Sequence, residues 1–281
     1  MASNSGRPRA LVTGASSGLG MTYAERLAHD RYDLILVARR RDRLEDLAAR
    51  LKRNGAMADV IVADLTDAKG LAAVEARAAS DEAIALLVNN AGFAGYQPFA
   101  GIDTRVVDQL IAIHITAVAR LSRAALPGMI RRGKGGIVNI ASLLSMTGAI
   151  PPNPLPHRAT YAGAKAFMVT FTQALAGEIK DTGVRVQVCL PGRVATDFLA
   201  SHHIDKSKLP PEMSAEDVVA ASLAALAQNE VVCIPGLGDP ALFAKLTEAQ
   251  ITLFRASAMQ SVIADRYRAA ARSSPRPGSA A

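Results

Sequence analysis

Leu11-Val12-Thr13-Gly14-Ala15-Ser16-Ser17-Gly18-Leu19-Gly20 continues an apolar run from Ala10 and closes it with glycines spaced G-x-x-x-G-x-G. Leu19, Tyr23, Leu27 and Ala28 then recur on one helical face, so the order reads strand, tight turn, helix N-terminus. Glycine lets the backbone turn sharply and lets a ligand approach with no Cβ in the way. The free N–H groups and positive dipole end of the helix face the turn, a site suited to a pyrophosphate. Taken alone, such a loop is equally an ordinary glycine-rich turn.

Outward from this loop, Asp33-Leu34-Ile35-Leu36-Val37-Ala38 is a short apolar run fit for a buried parallel strand. It ends at Arg39, nineteen residues beyond Gly20. In a dinucleotide fold an acid here would hold a free ribose 2′-hydroxyl, whereas an arginine pairs with a 2′-phosphate. Arg39 and Arg40 stand there and no acid does, which favours NADP(H) over NAD(H). The competing reading is that they only open the basic helix over 41–53.

Composition narrows the class. With 281 residues, 50% hydrophobic and 20% charged, the chain suits one large α/β domain. Cys189 and Cys233 lie in apolar runs and read as reduced core residues, with neither a disulfide nor a metal site expected. Adjacent His202 and His203 lack further ligands. No apolar run of membrane-spanning length is expected, and the polar first nine residues have no signal-peptide core, so a cytoplasmic location is expected. The net charge of +7 is scattered, aromatics are 4% and tryptophan is absent. Nucleic-acid binding is therefore poorly supported, and a basic surface that favours an anionic cofactor is the better reading.

Further along, Met57–Val62 reads as a third strand, followed by Asp64, Leu65 and a capping Thr66 or Asp67. Leu86-Leu87-Val88 reads as a fourth, closed by Asn89-Asn90-Ala91-Gly92. A helical stretch spans about 104–130, with His114 on its apolar face. A fifth strand, Gly136–Ser142, brings Ser142 to its C-terminal end, where open α/β sheets bind ligands; Ser145 is a nearby competitor. Pro151, Pro152, Pro154 and Pro156 then interrupt any regular element. Tyr161 and Lys165, four apart, share a face of the following helix. An ammonium there is expected to favour phenolate and lower the tyrosine pKa. Strands over 183–190 and 231–234 flank a helix with Ser214 as N-cap.

Tyr161-x-x-x-Lys165, Ser142, the Asn-Asn-Ala-Gly turn and the opening glycine motif together resemble the short-chain dehydrogenase/reductase family, from about Arg9 to Gly236. The resemblance implies a doubly wound (Rossmann) α/β fold with a mostly parallel seven-stranded sheet flanked by helices, and carbonyl–alcohol interconversion by hydride transfer, as in carbonyl and 3-oxoacyl reductases. It implies Ser142, Tyr161 and Lys165 as catalytic residues, with Tyr161 the general acid/base. His114 stands where the family usually carries an asparagine of the proton relay. The cofactor would lie on Gly14, Ser16, Ser17, Gly18, Leu19 and Gly20. Arg39, Arg40, Asp64, Leu65, Asn90, Ala91 and Gly92 would hold the nucleotide, and Tyr161, Lys165, Pro191, Gly192, Val194 and Thr196 the nicotinamide end. The spacing from Ser142 to Tyr161 exceeds the family's usual one, implying an inserted proline-rich loop. Homodimers or homotetramers are implied too.

The resulting layout is a mobile leader over 1–8, the dinucleotide-binding domain over 9–238, a helical extension over 239–272 and a disordered tail over 273–281. Phe93, Leu143, Leu144, Ile150, Phe198 and Leu199 point to a hydrophobic carbonyl substrate. A dinucleotide-binding sensor or scaffold of the same fold is the alternative, motivated by His114 and the long loop.

Overall fold

The computed structural model describes residues 6–153, 155–196, 198 and 211–268; the proposed tail, His202, His203 and Leu199 lie outside them. Seven parallel strands form one sheet: β1 Arg9–Thr13, β2 Asp33–Ala38, β3 Ala58–Val62, β4 Ile84–Asn89, β5 Gly135–Ile140, β6 Val184–Cys189 and β7 Val232–Cys233, in the order β3-β2-β1-β4-β5-β6-β7. The order reverses between β1 and β4, and such a switch opens a crevice at the C-terminal strand ends.

Strand periodicity explains the layers. Ala10 and Val12 of β1 and Leu34 and Leu36 of β2 face one apolar cluster, whereas Leu11, Ile35 and Val37 face another. Helices α1 (Gly18–His29), α2 (Arg41–Arg53) and a later helix, Ala215–Ala227, cover the first face. Helix α3 (Ala68–Ser80) and its neighbours cover the second. Asp67 caps α3 by accepting from Gly70 N at 2.9 Å, and Ser214 caps the 215–227 helix by accepting from Asp217 N at 3.0 Å.

The helical stretch over 104–130 is interrupted. It runs as α4 (Thr104–Ile111), a π-helical turn over Ala112–Thr116, and α5 (Ala117–Arg131). The wide turn shifts the side-chain register locally, and such turns concentrate at functional sites; this one contains His114. This 28-residue stretch is also long and apolar enough to cross a membrane, contrary to the expectation that no such segment exists. Leu110, Val118, Leu121, Ala125 and Met129 are buried in the protein, which accounts for its apolar character as a core helix.

After β5 come a short 3-10 turn, Leu143–Met146, and α6 (Ala159–Glu178); in chain order the 215–227 helix is α7. A second unit begins at Leu237 and contains α8 (Ala241–Ala258), none of whose residues is buried.

A buried polar ladder ties the strand ends together. Asn89 donates to Asn139 Oδ1 at 2.9 Å, and Asn139 donates to Thr172 Oγ1 at 2.9 Å. Thr13 Oγ1 accepts from Asn90 N at 2.9 Å and Ala91 N at 3.1 Å. Substituting Asn139→Ala removes one of the two acceptors of the Asn89 amide, leaving Ser122 Oγ at 3.2 Å, and removes the amide that donates to Thr172. Chemical denaturation is expected to find a loss of about 1–3 kcal/mol with no change in far-ultraviolet dichroism.

Candidate active site

The glycine-rich turn fits its neighbours only without side chains. Gly14 has φ +69°, and a Cβ there would lie 2.8 Å from Asn90 Nδ2 and 2.9 Å from Ala91 Cα. Asn90 in turn donates to the Thr13 carbonyl at 3.0 Å. A Cβ on Gly20 would strike the Gly14 carbonyl, and one on Gly18 would lie 3.2 Å from the Thr196 methyl. The segments after β1, β4 and β6 are thus drawn around one crevice. Leu19 packs half-buried against the first apolar cluster.

At the end of β2, Arg40 is the arginine that reaches the loop. Its Nη2 donates to Ser16 Oγ at 2.8 Å and Ser17 Oγ at 2.7 Å. Arg39 is 75% exposed and leans toward Asp64 at 3.7 Å. Asp64 also accepts from Thr66 N at 2.9 Å and Thr66 Oγ1 at 2.7 Å. Burial acts to raise the Asp64 pKa, but the Thr66 bonds and the Arg39 charge outweigh it and hold the carboxyl below its ordinary value. Leu65 is buried beside it. Arg43, which no motif singled out, lines an open groove with Ser16, Ser17 and Gly18.

At the other end, Tyr161 and Lys165 of α6 are both 4% exposed. Lys165 donates to the Ile140 carbonyl at 2.6 Å, and its Nζ lies 5.7 Å from the centre of the Tyr161 ring. Burial pushes Lys165 down to about 7. Burial likewise pushes Tyr161 well above its ordinary value; the neighbouring Tyr96 raises it further and the Ser142 hydroxyl opposes this. The expected lowering of the tyrosine by an ammonium is therefore not what the protein alone displays: desolvation disfavours phenolate, and it weakens the cation that was to stabilise it. Ser142 also accepts from Leu144 N at 3.2 Å. Its hydroxyl favours ionised Tyr161, whereas the buried Ser145 hydroxyl has no partner among the described residues.

His114 is fully buried and edge-on to Tyr161, with ring centroids 5.5 Å apart. Its Nε2 lies 2.9 Å from the Phe93 carbonyl. A carbonyl only accepts, so Nε2 carries the hydrogen and Nδ1 presents a bare lone pair. Burial and the Lys165 charge hold the imidazole pKa well below its ordinary value, keeping it neutral. Nδ1 is buried with no hydrogen-bond partner among the described residues. A Cβ on Gly92 would collide with His114 Cε1, so the imidazole requires the glycine beside it.

Beyond β6, the Pro191 carbonyl accepts from Leu143 N at 3.0 Å, and Gly192 faces the Leu143 side chain. Val194 bridges to Met213, and Thr196 N donates to the Val194 carbonyl at 2.8 Å. Phe198 stands 6.4 Å from Tyr161 between ring centroids.

Two residues that sequence reasoning missed complete the surroundings. Tyr96 packs edge-on to Tyr161. Arg158, 8% exposed, ropes the proline-rich loop: it donates to Thr147 Oγ1 at 2.7 Å and to the Thr147, Ile150 and Pro156 carbonyls at 2.7, 2.8 and 3.0 Å. Neither belongs to a periodic pattern or spaced motif; only their place beside motifs marks them.

The short chain dehydrogenase family profile matches residues 8–207. A very-long-chain 3-oxoacyl-CoA reductase of Anas platyrhynchos is 34% identical over 192 residues, 66% of this chain and 60% of that protein's length. A short-chain dehydrogenase from Sphingobium yanoikuyae, solved in complex with NADPH, is 38% identical with TM-score 0.86, covering 92% of this chain and all of that one. A bulky-bulky ketone specific alcohol dehydrogenase from Comamonas testosteroni is 35% identical with TM-score 0.83, covering 92% and 98%.

Arg158→Ala removes every anchor just described on the loop. Amide exchange over 147–157 is expected to accelerate, with a stability loss of about 1–3 kcal/mol.

Proposed function

Because the chain belongs to the short-chain dehydrogenase family, we propose that it is an NADP(H)-dependent oxidoreductase that interconverts a bulky hydrophobic ketone and its secondary alcohol. The observation that carries this reading is the grouping of Ser142, Tyr161 and Lys165 around the end of β5 and start of α6, together with a turn after β1 whose Gly14 and Gly20 have no room for a Cβ. The residues fit the cofactor: the Gly14 cradle suits a pyrophosphate, and Arg40 above Ser16 and Ser17 suits a 2′-phosphate. Arg39 would assist at the phosphate, and Asp64 and Leu65 would border the adenine. Asn90, Ala91 and Gly92 would line the floor, and Pro191, Gly192, Val194 and Thr196 would face the carboxamide. When bound, NADPH supplies the hydride.

The chain's own residues do the rest. Ser142 and Tyr161 hydroxyls donate to the carbonyl oxygen, where negative charge develops. Tyr161 gives that oxygen its proton in reduction and takes it back in oxidation. Lys165, held on Ile140, is placed to stabilise the phenolate and hold a ribose hydroxyl. The bare His114 Nδ1 offers an acceptor at the position where the family carries asparagine, so a water donating to it can pass a proton to Lys165. Phe93, Leu143, Leu144, Ile150 and Phe198 line the substrate side, and the similarity to a bulky-ketone dehydrogenase supports that substrate class. A cytoplasmic homodimer or homotetramer completes the proposal.

A Tyr161→Phe protein is expected to bind NADPH normally and reduce ketones about 100- to 10,000-fold more slowly; undiminished turnover would refute the role. NADPH binding without turnover of any ketone in the wild type would instead favour the sensor alternative. Arg40→Ala is expected to weaken NADPH binding by about tenfold or more while leaving NADH within about twofold, read by nicotinamide fluorescence.

Lys165 fixes a pH effect. With its pKa near 7 in the free protein, the amine is mostly neutral at pH 8. An anionic ligand raises that pKa, so binding takes up a proton, and affinity falls as pH rises from neutrality toward the bound-state pKa. Calorimetry at pH 8 in two buffers of different ionisation enthalpy is expected to find this uptake in the wild type and none in Lys165→Met.

A further inference from the structure

Helix α8 is two-sided by sequence. Leu242, Phe243, Leu246, Ala249, Leu253 and Phe254 fall on one side of it, and Lys245, Glu248 and Arg255 on the other. The apolar side is bare: Leu242, Leu246, Leu253 and Phe254 are 57, 42, 69 and 71% exposed, and none of the helix's 18 residues is buried. A helix of this length is marginal in water by itself and owes its stability to packing an apolar side. Across 242–267 the large apolar residues expose roughly 1,000 Å² in total, at about 200 Å² for each such residue when fully exposed. That is more than an ordinary monomer patch, and it meets the about 800 Å² that each partner buries in a stable interface.

We propose that α8 is a self-association surface, its apolar side covered by α8 of a second copy of this chain. Leu242, Leu246, Ala249 and Leu253 recur at spacings of four, three and four, the seam along which two helices interlock their side chains. The small Ala249 lies between the large Leu246 and Leu253. A copy related by a twofold axis presents the same patch, so leucines of each helix can fill the hollow over the other's alanine. The seam side carries no charge, its polar members being Gln250 and Ser257. Two copies therefore meet there without like-charge repulsion. A lipid surface is the poorer match, because helices that lie on membranes carry Lys and Arg over their polar face, whereas here Glu248 stands between Lys245 and Arg255. The pairing names a surface for the homo-oligomer proposed above and does not depend on the carbonyl chemistry.

Sedimentation velocity and amide exchange on the full chain test this. The wild type is expected to sediment as a dimer or tetramer, with slow exchange over 241–258. A Leu246→Glu/Leu253→Glu double variant places two carboxylates in the seam. It is expected to halve the assembly mass, to raise the dissociation constant of the pairing by about 100-fold or more, and to lose the protection over 241–258. Glu248→Ala, on the opposite side of the helix, is expected to keep both mass and protection. Unchanged exchange over 9–236 in the variants reports that the first unit stays folded. A wild type that sediments as a monomer, or a double variant of unchanged mass, overturns the inference. So does protection over 241–258 that appears only with phosphatidylcholine–phosphatidylglycerol vesicles, or that vanishes on deleting 269–281 with the mass unchanged. None of these readouts involves turnover, so an inactive enzyme and a failed pairing are told apart.

Discussion

Lys165 cannot be understood apart from the sheet that holds it. An ammonium is costly to bury unless something satisfies it, and here the Ile140 carbonyl at the end of β5 does so at 2.6 Å. That bond fixes where α6 begins relative to the strand, and the spacing of four between Tyr161 and Lys165 then puts the phenol over the same strand end, beside Ser142. Desolvation remains the dominant force on both side chains, pulling the lysine toward neutrality and the tyrosine toward its protonated form. The protein's own groups therefore leave the strand end electrically quiet. Under the proposed function, charge has to arrive with a ligand before the phenol can act as a base.

The cofactor side is governed by steric exclusion. At Gly14, Gly20 and Gly92 a single added carbon would meet Asn90, Ala91, the Gly14 carbonyl or His114. These contacts join the segments after β1 and β4 and the π turn, so the crevice at the switch between β1 and β4 is shaped by close packing of these segments. Thr13 illustrates the economy of the arrangement: its hydroxyl accepts from Asn90 N and Ala91 N and donates to the Val88 carbonyl at 3.2 Å. One side chain thereby orients the turn that carries Gly92.

The sheet and its helices were legible because buried parallel strands read as short apolar runs and helices as periodic faces. Strand β2 and helix α2 have the expected bounds; of the two candidates Thr66 and Asp67 it is Asp67 that caps α3, and Ser214 caps α7 as expected. What stayed hidden depends on contacts between distant segments. The π turn over Ala112–Thr116 has an ordinary helical sequence, and only packing reveals the inserted register. That Arg40 turns onto Ser16 and Ser17 while Arg39 leans toward Asp64 is not written in the sequence, because direction at a strand end is set by the next loop. Tyr96 and Arg158 were invisible for the same reason. The expected acidification of Tyr161 also failed in the free protein, since spacing gives proximity but says nothing of burial.

His114 turns a departure from the family pattern into a local consistency argument. An imidazole is larger than an asparagine side chain and needs room, and Gly92 supplies it. It also brings two nitrogens, and the Phe93 carbonyl next in the chain after Gly92 takes the hydrogen of one. The other is left as a pure acceptor in a site where Lys165 can only donate when charged and can accept when neutral. Because burial keeps the imidazole neutral, it adds no cation to oppose that of Lys165. A protonated histidine at this depth would repel the lysine and defeat the arrangement. The histidine therefore sits here as the uncharged Nε2–H tautomer, and the glycine and carbonyl of the preceding turn select that form.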